Sequence, residues 1–319
     1  MSTKRLLLHS FFLFLLPLIV AAYGISLPGA IALVLIALLW RWAISLSAIM
    51  APAKTPELEL ETISASHFVE KVRWCMDRLG LDYVEKPVGG TLGAFFLGRT
   101  VPVLKFRTGA VRSSIGNSPE ILRYLWGRYA SELGDSAAFL EASPERSEFE
   151  NKIDRCGTDL QVWVYYHLLD HQELTLQAWG ANDPALPAWQ RWCLRLLYPL
   201  LRVLIRKAFS ISPAHYKRCC EHVDNLLAEV DEKLEQGKVS ILGGDSINYT
   251  DISFAAIMAL WLLPEGYGGG KAEAVRIEKN ETPQEMQADV DRWAEKYPRA
   301  TAFIEQMYKD ERYSALSSP

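Results

Sequence analysis

The sequence predicts an α/β domain followed by an all-α domain, with an apolar helical hairpin ahead of both. Three observations carry this. Two long uncharged apolar runs lie within the first 50 residues. Between residues 58 and 125 the hydrophobic period switches from two to helical and back. From residue 148 onward the apolar residues recur at helical spacing. At 319 residues the chain can hold two modest cores and an appendage.

The apolar region is read first. Leu6 to Tyr23 carries no formal charge, and as a helix rising about 1.5 Å per residue it would reach roughly 27 Å, near the hydrocarbon thickness of a bilayer. After Gly24-Ile25-Ser26 a second uncharged run goes from Leu27 to Trp40 and extends to Met50 if Arg41 snorkels. A transmembrane hairpin over residues 1–50 is therefore expected, with the lipid bilayer as a partner. Lys4 and Arg5 precede the first run, Arg41 and Lys54 follow the second, and the turn is uncharged. The positive-inside rule then puts both ends, and the soluble domains, on the cytosolic side. Lys4-Arg5, an apolar stretch and Ala21-Ala22 also have the layout of a cleaved signal peptide, against which the second run counts. Residues 51–56 (Ala-Pro-Ala-Lys-Thr-Pro) read as a linker.

Residues 57–130 form the expected α/β domain. Leu58-Glu59-Leu60-Glu61 alternates as a half-buried strand does. Phe68, Val69, Val72, Cys75, Met76 and Leu79 then follow helical spacing, with Glu70, Lys71, Arg73 and Asp77 on the other face and Gly80 as a stop. Asp82 to Val88 is a second strand, which makes a β-α-β unit. Val101 to Phe106 is a third, although Pro102 forbids an ordinary central position. Beyond a turn at Thr108-Gly109 and a short strand, Ser118-Pro119-Glu120 opens a helix with Ser118 as cap.

Composition removes several function classes. A formal net charge of -4, from 34 basic and 38 acidic residues, gives no reason to propose a nucleic-acid partner. The five cysteines are scattered without a CxxC pair, which suits a reducing compartment. No HExxH, zinc-type Cys/His spacing, GxxxxGK[ST] or GxGxxG string occurs, so no metal or nucleotide site is expected.

Three strings in order carry a more specific signal: Ser66-His67-Phe68-Val69-Glu70-Lys71-Val72-Arg73-Trp74, then Thr100-Val101-Pro102-Val103-Leu104, then Ser118-Pro119-Glu120-Ile121-Leu122-Arg123-Tyr124-Leu125. Their order and separations resemble the N-terminal domain of the glutathione S-transferase family, which implies a thioredoxin-like fold that binds glutathione as co-substrate. The resemblance implies a thiol-activating role for Ser66, with Ser64 as the alternative. It implies a cis-proline at Pro102 that turns the Val101 backbone toward the cysteinyl part of glutathione. Ser118 would hold the γ-glutamyl carboxylate. The family usually has Glu or Asp before that serine. Asn117 stands here and can hydrogen-bond an ammonium without supplying charge.

Residues 145–312 are expected to be all-helical. Ala178 to Pro187 is a loop, and Trp189 to Phe209 is rich in Trp, Leu and Arg. Trp192, Leu196, Leu200 and Leu204 are expected to face the bundle core, leaving Arg191, Arg195, Arg202, Arg206 and Lys207 solvated; contact with a membrane is the alternative. His222 to Gln236 and Val290 to Tyr308 read as further helices. Asn248-Tyr249-Thr250-Asp251 resembles the family's buried capping motif, with Asn248 as cap and Asp251 three residues on, a structural role.

The function expected is thus a membrane-attached glutathione transferase that turns the thiolate on a lipophilic, apolar electrophile or peroxide. The alternative is a non-catalytic binding or scaffold protein of the same fold. Thiol-disulfide exchange is disfavoured, because Ser66 and Val69 are not cysteine. A homodimer is what the family implies.

Overall fold

A computed structural model describes residues 11, 15–24, 26–50, 56–88, 92, 101–108, 111–236 and 238–312. The chain divides into two compact units, residues 1–59 with 105–114 and residues 60–104 with 115–319.

The first unit begins with helices α1 (Leu16–Ala22) and α2 (Leu27–Met50), packed on one another. Gly24 turns the chain between them at φ 67°, a value glycine adopts without strain. Among the described residues no helix is long and apolar enough to cross a membrane. This overturns the expected transmembrane hairpin and the membrane localisation with cytosol-facing domains. Among the described residues α1 has seven residues, about 10 Å, and α2 carries Arg41 within its apolar run, a charge that is costly at the depth of the hydrocarbon. Residues 6–10 and 12–14 of the first apolar run, and 51–55 of the linker, lie outside the described residues.

A four-stranded sheet follows, in the order β2-β1-β3-β4, from β1 (Glu57–Thr62), β2 (Tyr83–Pro87), β3 (Val103–Thr108) and β4 (Val111–Gly116). In β1 the period of two is met: Leu58, Leu60 and Thr62 are buried while the glutamates between them point outward. Helix α3 (His67–Arg78) joins β1 to β2, and Val88 N–H donates to Thr62 C=O at 2.8 Å, so the two strands run the same way. Glu57 pairs with Arg107, and Glu59 with Lys105 at 3.6 Å. One index rises by two as the other falls by two, which makes β1 and β3 antiparallel. Two residues separate β3 from β4, a connection open only to antiparallel strands. The sheet is therefore mixed. The end of β1, the start of β3 and the end of β4 share one edge. Pro102 precedes β3 rather than lying inside it, which is how a proline coexists with a central strand.

Helix α4 (Ser118–Leu133) and a 3-10 segment (Gly134–Leu140) lead into the helices α5 (Pro144–Leu168), α6 (Gln172–Ala178), α7 (Ala188–Ala208), α8 (Pro213–Lys233), α9 (Tyr249–Leu262), α10 (Gln284–Lys296) and α11 (Pro298–Gln306). A mixed sheet followed by helices is the plan that the family resemblance implies. At the centre lies α9, buried along nearly its whole length and packed on α3 and α5. The single helix expected over 290–308 is two, because Pro298 starts a new one at its first turn. Cap residues Ser143 and Ser212 start α5 and α8 earlier than their apolar periodicity suggests.

Two expectations about faces are corrected. On α7 the core side is Leu194, Tyr198, Leu201 and Ile205, packed with Leu169, Leu176, Trp179 and Leu186. Trp192, Leu196 and Leu200 are exposed instead. This helix carries two apolar stripes, and its own sequence does not say which one the cluster from Leu169 to Leu186 will cover. On α3 the polar face is as buried as the apolar one: Glu70, Lys71 and Arg73 are all 0% exposed. Each meets its counter-charge. Lys71 Nζ lies 2.7 Å from Glu150 and 2.9 Å from Asp154 of α5, and Arg73 pairs with Glu70 and Glu85.

Candidate functional site

β1 delivers the chain into the turn Ile63-Ser64-Ala65, and Ser66 then caps α3 in an extended conformation (φ -74°, ψ 119°). Its Oγ accepts the Val69 N–H at 3.4 Å. In that bond the hydroxyl is an acceptor, so its own proton remains available to a ligand at the positive end of the helix. Ser64 differs: its Oγ donates to Asp183 Oδ2 at 3.0 Å. Asp183 is fixed in turn by accepting the Ala185 N–H at 2.8 Å. Ala65, between the two serines, is held through its carbonyl by the buried Tyr267 hydroxyl at 3.0 Å.

His67 is buried just past the cap, and its Nε2 donates to the Gly157 carbonyl of α5 at 3.0 Å. Burial lowers its pKa to about 4, only partly offset by that bond, so the imidazole is neutral at physiological pH. Gly157 is needed for this approach. A β-carbon there would stand 3.0 Å from Phe68 and Ile257 side-chain atoms and 3.2 Å from His67 Nε2.

Across the same sheet edge, the Val101–Pro102 peptide bond is cis and Pro102 is buried. Asn117 follows β4 with φ 71° and ψ 127°, a sparsely populated conformation for a residue other than glycine. It occupies the cap position of α4 with no side-chain capping bond. The cap thus falls one residue before Ser118, because the positive φ of Asn117 redirects the chain there. Ser118 is the first helical residue, 1% exposed. Among the described residues its Oγ has no hydrogen-bond partner. A buried hydroxyl left unpaired costs about 1–3 kcal/mol, and an anion at this helix N-terminus would relieve it. Ser64, Ser66, Val101, Pro102, Asn117 and Ser118 all belong to the connections at this one edge. Thr100 and Gly109 lie outside the described residues.

Asn248 and Asp251 stand elsewhere, at the start of α9. Asn248 Oδ1 accepts from Thr250 N–H at 2.9 Å, and Asp251 accepts from the Asn248 and Ile241 N–H groups, each at 2.8 Å. This is a closed capping box. Burial raises the Asp251 pKa more than these bonds lower it.

Sequence reasoning missed His67, Asp183 and Tyr267. His67 had a signal in its place directly after the cap. The partners of Asp183 and Tyr267 are 119 and 202 residues away in the chain, and no local pattern joins them.

No protein-family model matches the chain, and no curated protein matches it. Among solved structures it is similar to a glutathione S-transferase from Methylobacterium radiotolerans in complex with glutathione sulfonate, at 14% identity and TM-score 0.48, covering 81% of this chain and 93% of that one. A glutathione S-transferase from Methylobacillus flagellatus with glutathione bound is similar at 16% identity and TM-score 0.46, covering 81% and 98%. A maleylacetoacetate isomerase from Anaeromyxobacter dehalogenans, also with glutathione bound, is similar at 14% identity and TM-score 0.40, covering 81% and 99%.

Proposed function

We propose that the chain is a glutathione-binding enzyme of transferase type, in which Ser66 stabilises the glutathione thiolate. The observation that carries this is the meeting, at one sheet edge, of a capping serine with an unspent proton, the cis Val101–Pro102 backbone and the unpaired buried hydroxyl of Ser118. Ser118 and the first N–H groups of α4 take the γ-glutamyl carboxylate, Val101 pairs with the cysteinyl backbone, and Asn117 accepts from the ammonium. An ordinary thiol, with pKa about 8.5, needs a drop of roughly two units to ionise near neutrality, or about 2.7 kcal/mol. A charge-assisted hydrogen bond of about 1.5–3 kcal/mol and a helix N-terminus of about 0.3–2 kcal/mol supply it. The thiolate then attacks an apolar electrophile or peroxide. Ser66 is preferred to Ser64 because the Ser64 proton is already given to Asp183. A homodimer belongs to the same reading.

The test is calorimetric titration of glutathione into the full chain and into Ser66→Ala and Ser118→Ala, with thiolate absorbance followed in parallel. Binding that survives Ser66→Ala without the thiolate signal, and weakens with Ser118→Ala, supports the assignment. Absence of binding at millimolar glutathione sinks it.

The second reading, a non-catalytic binding or scaffold module, is favoured by the exposed stripe Trp189, Trp192, Leu196, Leu200 and Val203 on α7, each at least half exposed. A continuous apolar surface of this kind marks an interaction face more often than bare solvent contact.

A further inference from the structure

A second constellation lies away from the sheet edge, where α8 faces α5. His215, Cys219 and His222 recur at intervals of four and three on α8, so they share one face. Asp159 of α5 meets that face. Cys219 Sγ donates to Asp159 Oδ1 at 3.2 Å, and His222 Nδ1 lies 2.9 Å from Asp159 Oδ2. Asp159, His215 and Cys219 each offer one ligand atom, all within 4.8 Å of one another.

We propose that Asp159, His215 and Cys219 bind a divalent transition-metal ion of zinc type, with His222 orienting the Asp159 carboxylate. Ligand atoms around a tetrahedral zinc stand about 3.3–3.8 Å apart. The Asp159–Cys219 pair is already at that spacing, and the third ligand needs a shift of roughly 1 Å, within side-chain reach. The charges also match, since one carboxylate and one thiolate neutralise a dication and the imidazole adds none. Soft sulfur beside imidazole and carboxylate selects zinc-like ions over magnesium or calcium.

The surroundings are those of a supported ligand set. His215 Nδ1 lies 3.1 Å from the Phe209 carbonyl and 3.3 Å from that of Ser210. Two acceptors hold the proton on Nδ1 and leave the ring's lone pair on Nε2, as outer-shell carbonyls do for metal-bound histidines. Half-exposed His222 and partly exposed Asp159 give an ion access from solvent, and water completes the coordination. A bound ion takes Cys219 as the thiolate, so binding releases the thiol proton and affinity rises with pH. The sequence concealed this site because its ligands come from two helices, with Asp159 and Cys219 60 residues apart.

The experiment is titration of metal-free full chain with zinc by calorimetry and with cobalt(II) by absorption, alongside Cys219→Ser, His215→Gln, His222→Gln and, as a control, Cys193→Ser. The expected result is one equivalent of zinc bound, with a sulfur-to-cobalt charge-transfer band in the near ultraviolet. The band disappears in Cys219→Ser and persists in Cys193→Ser. His215→Gln removes tight binding, and His222→Gln weakens it by roughly tenfold or more. Circular dichroism of each variant distinguishes loss of metal from loss of fold, and the wild-type spectrum decides the question by itself. A full chain that gives no thiolate–cobalt band, or a band that survives Cys219→Ser, overturns the assignment.

Discussion

His67 Nε2 donates to the carbonyl of Gly157 at 3.0 Å, tying the residue after the Ser66 cap to α5 across 90 residues of chain. Burial holds this imidazole neutral down to about pH 4, whereas in the unfolded chain it charges below about 6.5. Between those values the unfolded state binds the extra proton. Its contribution to stability is therefore present above pH 6.5 and is lost as pH falls toward 4, at most about 3 kcal/mol. Urea unfolding of wild type and His67→Phe across this window should show a pH slope in the former that the latter lacks. Equal slopes would mean that His67 is not the titrating group.

A second prediction concerns the charges behind α3. Glu70 accepts from Arg73 at 3.0 Å and from Arg312 Nε at 2.9 Å, and Arg312 reaches Asp77 at 2.8 Å. Glu70, Arg73 and Arg312 are all 0% exposed. Glu70→Ala leaves two arginines short of a partner and is expected to cost about 3–5 kcal/mol. Glu70→Met combined with Arg312→Met should recover part of the loss, as measured by chemical denaturation. A loss below about 1 kcal/mol for Glu70→Ala would show that the network relaxes.

Asp251 offers a third. Two buried N–H groups, of Ile241 and Asn248, depend on its carboxylate. Asp251→Ala should destabilise by about 2–5 kcal/mol, the cost of leaving two buried donors unmade. Because the role is structural, activity per folded molecule should be unchanged, which a thermal melt run beside an assay would check.

The two site serines should separate by stability as well as by ligand. Ser66→Ala removes a cap and is expected to lose about 1 kcal/mol. Ser118→Ala removes a buried hydroxyl that has no partner among the described residues, so the unliganded protein should lose nothing. Thermal melts with and without glutathione should then show Ser118→Ala at least as stable as wild type without ligand and less stabilised by it. A large loss without ligand would mean that Ser118 has an internal partner.

Much of the plan was legible because it is local. The alternation of Leu58 and Leu60, the helical spacing from Phe68 to Leu79, and the box of Asn248 and Asp251 are each decided by residues within a few positions of one another. What the sequence did not yield depends on distant partners. The charges of α3 look like a solvated face until Glu85, Glu150 and Arg312 are brought to them. The phase of α7 depends on a cluster contributed largely by α6 and the connections on either side of it, from Leu169 to Leu186. The apolar runs of the first 50 residues suggested a transmembrane hairpin, whereas among the described residues no helix is long and apolar enough to cross a membrane.

Glu70 and Arg312 are 242 residues apart, and Gly269, at φ 61°, leaves the space beside the Arg312 guanidinium that a side chain would fill. During synthesis at about 5–20 residues per second, α3 leaves the ribosome roughly 10–50 s before its last counter-charge exists. For that interval Glu70 needs water. The charge pairing behind the helix that carries the Ser66 cap is therefore completed only once Arg312, 242 residues further along the chain, has been made.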